Sequence, residues 1–524
     1  MAPKKRIHTG FSSGKKHRTA RIRAAARASE SSLDQVAVNV PTKLGDIVLT
    51  RRHLLIGAAG VAAVAGVGVG SSIISSTFGD EASLDILSVP TSSVTSMADY
   101  EQVDAEEYMY LDSEYELPYG TLVWANGSMA ACLMPGDTGS PLNHLGVLFL
   151  SSGYCPVVLD HAVGSSEGYE IFDVRGSSNG LIWTEANILE GTWRVYSAVL
   201  NDDALGDAIL LEEGDSEWET PTLAAVGNYV FWQILPSLSG SHTAEQSVLK
   251  KARLGTSNGT VVYQSTGRMA TAPTTTVESV IISPRAKAEG MYYQLTNLRA
   301  ADDQVLDTMV LPQSMRPLEV GYGTNGFNFS FDAIYNYGDG ISNLGTYTPL
   351  EKRVIKPPAV ATPSGSSGAS GSSETSGSSE SSETTGSSGT SAPSDSSSSS
   401  ETAAPSEQSG RSTEGTPSTL FSSSDFTPKS YSDSPWFTLN RTPSAPACWC
   451  GNLFMIKSTH VVCGVNMEKS QYFTLDTHSG SPDYGDFLAS TGICDYVVTY
   501  TNVDDNPIDG DRMHCTLVKV YAPY

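Results

Sequence analysis

The chain has 524 residues, a formal net charge of −25 and 17% charged residues. The charge is unevenly divided. Residues 1–76 hold 12 Lys or Arg and three Asp or Glu, a balance of +9, whereas the remainder holds 20 and 54, a balance of −34. Affinity for nucleic acid depends on Lys and Arg facing the phosphates. We therefore expect no nucleic-acid partner for the main body of the chain.

An uncharged apolar segment follows the basic N-terminal part. Leu54–Ile74 contains no Asp, Glu, Lys or Arg, and its length meets the roughly 20 residues that a membrane-spanning helix needs. A basic flank before an apolar span favours the cytoplasm for that flank. We predict a disordered basic cytoplasmic segment over residues 1–50 and a single transmembrane helix over residues 51–76.

Two arginines stand directly before this span. Thr50-Arg51-Arg52-His53-Leu54-Leu55-Ile56 resembles the twin-arginine export signal of prokaryotes, and the resemblance implies that Arg51 and Arg52 direct export. The residues after the span offer only Ser75-x-Thr77 as a small-x-small cleavage site, which favours a retained anchor over a removed signal. We expect a single-pass protein of the cell membrane with an extracytoplasmic C-terminal part.

Beyond the span, residues 77–116 are rich in Asp and Glu, which we interpret as an acidic stalk. From residue 117 onward, short apolar and aromatic runs are separated by Gly, Asn, Asp, Ser and Pro, a pattern typical of an all-β domain. The chain contains several similar units. Each has a Gly- or Asn-led aromatic strand, a polar turn and an alternating strand, as in Gly180–Thr184 with Trp193–Leu200 and Gly227–Trp232 with Ser247–Leu254.

A repeat of several short strands is typical of β-propeller blades. The units resemble the blades of TolB-like propellers of prokaryotic cell-envelope proteins, in which a small residue precedes an aromatic central strand. This resemblance implies a six- or seven-bladed β-propeller formed by residues 117–356 and 435–524. A pair of β-sandwich domains is the alternative. To close the ring, we expect Glu107–Asp112 or Leu84–Val89 to pair with the last blade, because an uncovered sheet edge is an aggregation hazard.

Residues 357–434 are made mostly of Ser, Gly, Thr, Glu, Pro and Ala. Such a composition has too few apolar residues to form a core and predicts disorder. We interpret the tract as a long loop inserted in the propeller. In the alternative it is a linker, and Trp436–Tyr524 is a separate domain.

The seven cysteines all follow the apolar span, where disulfides are permitted if that side is oxidising. Cys132 with Cys155 and Cys494 with Cys515 are the two predicted pairs, since each pair lies in one predicted blade or hairpin. A structural zinc site is the alternative for Cys448, Cys450, His460 and Cys463, because thiolates and imidazole are its usual ligands.

Three further motifs have ordinary explanations. Gly164-Ser165-Ser166-Glu167-Gly168 has the letters of a nucleophile elbow, but a strand-like segment follows it where the elbow requires a helix. Asp504–Asp511 and Asn336–Asn343 contain the oxygen donors that calcium takes, yet Asp, Asn, Pro and Gly are also the residues of turns. We predict no catalytic residue, no metal and no cofactor.

The predicted function is binding of a protein or glycan partner by the propeller, with the membrane span as its tether. A propeller-type glycan hydrolase or lyase is the alternative from another class. A structural surface protein with a Ser-rich spacer is the third hypothesis, and fold alone does not decide among them.

Overall fold

The computed structural model describes residues 38–42, 45–49, 84–136, 142–238, 246–287, 290–313, 315–332, 345–353, 429–441, 443–504 and 514–524. Strands dominate these ranges. The helical elements found in them are single three-residue turns: Thr91–Ser93, Met97–Asp99, Ala105–Glu107, Ser165–Glu167 and Tyr431–Asp433.

The strands of the first half, in chain order, are β1 (Val38–Thr42), β2 (Gly45–Leu49), β3 (Val94–Ser96), β4 (Glu101–Gln102), β5 (Met109–Pro118), β6 (Leu122–Asn126), β7 (Met129–Pro135), β8 (Leu142–Phe149), β9 (Val157–Leu159), β10 (Glu170–Ser177), β11 (Gly180–Asn187), β12 (Thr192–Asn201), β13 (Ala204–Leu205), β14 (Ile209–Gly214), β15 (Thr222–Val226), β16 (Tyr229–Ile234), β17 (Ser247–Arg253) and β18 (Thr260–Ser265).

The strands of the second half are β19 (Thr274–Thr275), β20 (Ser279–Ile282), β21 (Arg285–Lys287), β22 (Met291–Arg299), β23 (Val305–Val310), β24 (Arg316–Gly323), β25 (Gly326–Asp332), β26 (Gly345–Pro349), β27 (Trp436–Asn440), β28 (Cys448–Cys450), β29 (Leu453–Lys457), β30 (Val462–Asn466), β31 (Gln471–Thr474), β32 (Phe487–Leu488), β33 (Gly492–Cys494), β34 (Val497–Asp504) and β35 (His514–Pro523).

Apart from the β1–β2 hairpin, the described strands form seven sheets of four to six strands. In chain order they are blade 1 (β6–β9), blade 2 (β10–β14), blade 3 (β15–β18), blade 4 (β19–β23), blade 5 (β24–β27 with β3), blade 6 (β28–β31 with β33 and β4) and blade 7 (β32, β34 and β35 with β5). Adjacent strands within each blade are mostly antiparallel neighbours in sequence. This arrangement follows from the short polar turns between the apolar runs.

The hydrophobic core is divided among the seams between blades. Separate buried clusters join blades 1 and 2, 2 and 3, 3 and 4, 4 and 5, 5 and 6, and 6 and 7. A further cluster, with Val123 and Cys132 on one side and Val498 and Val518 on the other, joins blade 7 to blade 1. The sheets therefore close a ring, and the fold is a β-propeller. Neither face of a single blade is covered until its neighbours pack against it.

The last blade is completed from the N-terminal side of the domain. β5 pairs antiparallel with β35, from Cys515 opposite Pro118 to Pro523 opposite Met109. The predicted pairing of the Glu107–Asp112 region with the C-terminal blade is confirmed, because Met109, Tyr110 and Leu111 all belong to this ladder.

The segment interpreted as an acidic stalk instead lies against the propeller from residue 84 onward. Leu87 donates its backbone N–H to the Val310 carbonyl at the edge of blade 4. β3 then pairs with β27 of blade 5, and β4 pairs with β31 of blade 6. This arm, residues 84–118, covers the outer edges of four consecutive blades. Its acidic residues do not prevent this, since backbone groups make the pairing and most of the carboxylates stay exposed.

The Ser-rich tract is an insertion within one blade. β26 ends at Pro349 before the tract and β27 begins at Trp436 after it, and the two strands pair from Gly345 opposite Asn440 to Pro349 opposite Trp436. The alternative of a separate C-terminal domain is therefore wrong. The folded part begins earlier than the predicted boundary at residue 435, because Tyr431 and Ser434, assigned to the tract, are buried in the propeller.

The predicted transmembrane helix and the twin-arginine residues lie outside the described residues, as does the Pro357–Thr416 part of the insertion. Among the helices of the described ranges, none is long and apolar enough to cross a membrane. Within the segment expected to be disordered, residues 38–49 contain a two-stranded antiparallel hairpin in which Val38 lies opposite Leu49.

Candidate binding surface

A row of aromatic rings is exposed at one end of blade 7. Phe487 on β32 lies directly opposite Tyr500 on β34, and their ring centroids are 5.4 Å apart. The Tyr484 ring lies 5.2 Å from that of Phe487. Tyr484 and Phe487 are each 39% exposed, so both rings keep a face in solvent. Large apolar groups are more often buried, and three adjacent rings therefore indicate a contact surface.

A tight turn presents Tyr484. The Gly485 N–H donates to the Pro482 carbonyl, and Gly485 adopts a left-handed φ of +65°. A Cβ at this position would lie 2.0 Å from the His460 carbonyl oxygen, so only glycine fits. The buried Lys457 ammonium donates to the Tyr484 carbonyl, and burial lowers the pKa of Lys457. The position of the exposed ring is thus fixed by the backbone beneath it.

Beneath the turn lies a buried cluster of charged groups. Asp486 and Lys519 are 3% and 5% exposed, with 3.5 Å between Lys519 Nζ and Asp486 Oδ2. Lys519 also donates to the Asp476 carbonyl, and Thr499 donates its hydroxyl to Asp486. Buried charges persist only when they are paired and hydrogen-bonded. These contacts make a rigid base for the aromatic row.

A second pair of rings lies at the same end of blade 7. Tyr119, directly after β5, stacks on His514 at the start of β35, with centroids 4.0 Å apart and an interplanar angle of 8°. Burial raises the pKa of the Tyr484 hydroxyl, and the Tyr119 hydroxyl raises it further. We call Tyr119, Tyr484, Phe487, Tyr500 and His514 the aromatic surface. Asp504, 3.6 Å from the His514 imidazole, adds a carboxylate at its margin.

The centre of the ring is crossed by the chain itself. Between β32 and β34, Ser490 forms a bridge to Ala125 of blade 1, and β33 pairs in parallel with β28 of blade 6. At Gly492, with φ of +63°, a Cβ would lie 1.8 Å from the Thr275 carbonyl oxygen of blade 4. Residues 489–494 thus lie across the propeller axis and contact blades 1, 4, 5 and 6. We call this segment the axial crossing.

A cavity of about 230 Å³ lies between the arm and blade 4, lined by Leu84, Asp85, Leu87, Gln294, Thr308, Met309, Val310, Tyr431 and Ser432. Two of its polar side chains, Asp85 and Ser432, are engaged in holding the arm. Ser430 donates to Asp85, and the Ser88 N–H donates to the Ser432 hydroxyl. We interpret this cavity as a consequence of arm docking.

The structure brings one predicted cysteine pair together. The thiols of Cys132 and Cys155 are hydrogen-bonded, and this contact, together with burial, raises the pKa of Cys132 well above its usual range. All seven cysteines are free in the structure, so the disulfide between these two stays a prediction.

The second predicted pair, Cys494 with Cys515, is wrong. Cys494 belongs to β33 in blade 6, near the end of β34 where Val497 lies opposite Tyr521. Cys515 lies six positions from Tyr521 on β35, roughly 20 Å away at the usual rise per residue. The two cysteines flank a hairpin in sequence but lie at opposite ends of it. Cys494 contacts Cys448 instead, with 3.8 Å between the sulfurs.

The zinc alternative is also not supported. Cys448 and Cys450 face the seam between blades 6 and 7, whereas Cys463 faces the seam between blades 5 and 6. The His460 imidazole is bonded to the Asp483 carbonyl. Within the ranges that the structure describes, no three His, Cys, Asp or Glu side chains are grouped as metal ligands.

The serine motif is a structural turn. Ser165–Glu167 forms a three-residue helical turn followed by strand β10. The buried Glu185 carboxylate accepts the backbone N–H groups of Val163 and Gly164 and the Trp183 indole N–H. Glu185 therefore anchors this loop. The acidic segments Asp505–Asp511 and Asn336–Asn343 lie outside the described residues.

Sequence reasoning missed the aromatic surface. Its rings come from residues 119, 484, 487, 500 and 514, which share no motif, and only the fold brings them together. The one local signal was Ser481-Pro482-Asp483-Tyr484-Gly485, where turn residues surround a tyrosine. Turns are formed mainly by Gly, Pro, Asn, Asp and Ser, so the tyrosine among them is the residue that stands out in this segment.

No family model and no curated protein matches the chain. Among solved structures, an oligogalacturonate lyase in complex with manganese matches with 8% identity over 81% of this chain and 98% of that one, at a TM-score of 0.38. An oligogalacturonate lyase from Vibrio parahaemolyticus matches with 11% identity over 78% and 98%, at a TM-score of 0.33. A prolyl endopeptidase matches with 10% identity over 80% of this chain and 48% of that one, at 0.38, so this chain spans about half the length of that enzyme.

Proposed function

We propose that this protein is a membrane-tethered, extracytoplasmic β-propeller of the cell envelope that binds a glycan through the aromatic surface. The row of Tyr484, Phe487 and Tyr500 carries the proposal, with Tyr484 and Phe487 exposed and Tyr500 half-buried beside them. The membrane anchor is proposed from the apolar segment Leu54–Ile74, and export from Arg51 and Arg52. The resemblance of the repeat units to TolB-like blades supports a cell-envelope location.

The chemistry of the surface favours a glycan over a protein as the partner. Aromatic rings offer flat apolar faces with a negative π-system, on which the C–H faces of a sugar ring can stack. Around them, the Tyr484 and Tyr119 hydroxyls and the Asp504 carboxylate offer hydrogen-bonding groups for sugar hydroxyls. Binding sites generally combine aromatic walls with a few fixed polar groups. The buried Lys457 and Asp486 contacts hold the turn before any ligand arrives, which limits the entropy lost on binding.

The charge around the surface narrows the glycan class. The part of the chain after residue 76 carries a balance of −34, and Asp504 lies at the edge of the aromatic surface. Like charges repel an anionic ligand and lower its association rate. We therefore expect neutral or amino-substituted oligosaccharides to bind more tightly than uronate-rich ones.

The test uses the full-length chain, purified in detergent, on an array of chito-, cello-, malto- and galacturono-oligosaccharides, with titration calorimetry for the strongest binder. Phe487→Ala should weaken binding about tenfold or more, as expected for about 1.4 kcal/mol of lost stacking. Tyr154→Ala is the matched control, because Tyr154 is an aromatic residue 52% exposed on blade 1. Equal affinities for the two variants, or no glycan binding by the parent, would contradict the proposal and favour a protein partner.

A further inference from the structure

Three thiols meet where the axial crossing joins blade 6. β33 runs parallel to β28, with Cys448 opposite Gly492 and Cys450 opposite Cys494. The Cys494 sulfur lies 3.8 Å from that of Cys448, and the Cys450 thiol donates to the carbonyl of Asp495, the residue after Cys494. We call Cys448, Cys450 and Cys494 the thiol cluster.

Backbone register decides which two of these thiols can be joined. A disulfide requires Cα atoms about 4.4–6.8 Å apart. Cys450 and Cys494 are directly opposite on paired strands, which lie about 4.8 Å apart. Cys448 is a diagonal neighbour of Cys494, about 7–8 Å away at the Cα. Its sulfur reaches Cys494, but its backbone lies beyond the range that a disulfide spans.

Access differs among the three. Cys448 and Cys450 are buried, whereas Cys494 is half-buried. Contact with a neighbouring thiol, together with burial, raises the pKa of both Cys450 and Cys494, so the thiolate is disfavoured at both and solvent exposure alone distinguishes them. An oxidant from solvent therefore meets Cys494 first, and the neighbouring Cys450 completes the reaction.

We propose that Cys450 and Cys494 form a disulfide that ties the axial crossing to blade 6. The oxidant is a disulfide compound. Cys494 attacks one of its sulfurs and releases one thiol; Cys450 then attacks the mixed disulfide and releases the second. Two thiols of the protein become one S–S bond, and the oxidant takes up two electrons and two protons.

The bond has a structural consequence. The axial crossing contacts blades 1, 4, 5 and 6, and it connects β32 with β34 of blade 7. A covalent link to β28 would keep the axial crossing attached to blade 6. It would thereby hold β32, the first strand of blade 7, in place when the seam between blades 6 and 7 opens. The chemistry is independent of glycan binding, and it is testable in solution whatever the compartment of the protein.

The experiment treats the reduced full-length chain with oxidised glutathione, alkylates the remaining thiols in denaturant, and maps peptides by mass spectrometry. Chymotrypsin cleaves after Trp449, so Cys448 and Cys450 are read on separate peptides. We expect the Cys450 and Cys494 peptides to be linked, with loss of two hydrogens, and Cys448, Cys463 and Cys515 to be alkylated. Cys448→Ser should keep the link, and Cys494→Ser should abolish it.

The predicted Cys132–Cys155 pair serves as an internal check on the oxidant. Recovery of Cys450 and Cys494 as alkylated thiols while Cys132 and Cys155 are linked would overturn the proposal. A stable glutathione adduct on Cys494, or a Cys448–Cys494 link in the parent chain, would overturn it as well. Linked peptides in a chain that binds no glycan would leave this inference standing and contradict only the proposed function.

Discussion

The Arg353 guanidinium lies 3.5 Å from the centre of the Tyr431 ring, so the two ends of the Ser-rich insertion meet in one buried contact. Arg353 also donates to the Lys429 carbonyl, and the Tyr431 hydroxyl donates to Asp307 on β23 at 2.5 Å. Tyr322 donates to the same Asp307 oxygen. The cluster fixes the ends of the insertion against blade 4.

The first prediction separates the insertion from its ends. Deleting residues 360–425 and joining the chain with a short Gly/Ser turn should leave the thermal midpoint nearly unchanged, because closure entropy depends only weakly on loop length. Tyr431→Ala should lower the free energy of unfolding by about 3–5 kcal/mol, as for other buried aromatic residues. Chemical denaturation of both variants is the measurement. A large loss in the deletion variant would show that the tract makes ordered contacts.

The second prediction concerns the axial crossing. Gly492→Ala should destabilise the protein severely, because a Cβ there would lie 1.8 Å from the Thr275 oxygen. Gly451→Ala is the matched control: Gly451 has a similar φ of +61° but nothing within 4 Å of the added Cβ. The control should lose only the backbone cost of about 1–2 kcal/mol. Similar unfolding free energies for the two variants would mean that the crossing is not packed as described.

The third prediction tests ring closure. A chain that begins at residue 84 should fold as a monomer, because it retains β5. A chain that begins at residue 119 leaves the edge of β35 uncovered, and exposed edges pair with other chains. Size-exclusion chromatography should show a monomer for the former and aggregates for the latter. A monomeric, equally stable shorter chain would refute the closing role of β5.

The fourth prediction follows from Asp307, whose side chain is only 13% exposed. Burial raises the pKa of Asp307, an effect that Arg353 and the two tyrosine hydroxyls partly oppose. The folded state binds this proton more tightly than the unfolded state. The contribution of Asp307 protonation to the free energy of unfolding is therefore present at low pH and is lost as pH rises through the raised pKa. The stability of Asp307→Asn relative to the parent should therefore increase as the pH rises from the ordinary pKa of Asp towards the raised pKa of Asp307.

Urea midpoints measured across this pH range for the parent and for Asp307→Asn would check the sign. Glu190→Gln, which changes an exposed carboxylate, is the control and should track the parent. A difference between parent and Asp307→Asn that stays constant, or reverses with pH, would contradict the assignment.

The fifth prediction concerns export. Replacing Arg51 and Arg52 with Lys keeps the charge but removes the paired arginines, and should block export of the chain. Cell fractionation with an antibody to the propeller is the measurement. Unchanged export of the double variant would leave a general signal anchor as the explanation of the apolar span.

The sequence by itself predicted the β-propeller, because turn residues and aromatic runs repeat along the chain and each repeat has the length of one blade. It also predicted that a segment before residue 117 closes the ring, since the final unit, Asp495–Tyr521, has too few strands. These features depend on local patterning and on the need to cover a sheet edge, and both can be read along the chain.

Only the tertiary structure decided which distant residues meet. Cys494 and Cys515 flank one hairpin, yet the strand length separates them and parallel pairing places Cys494 beside Cys450. The acidic residues of the arm suggested a stalk, but backbone pairing along β3, β4 and β5 holds it on the propeller. The aromatic surface joins residue 119 to residues 484–514 because closure of the ring brings the first and last parts of the domain together. Such contacts depend on the register and twist of whole sheets, which no local pattern records.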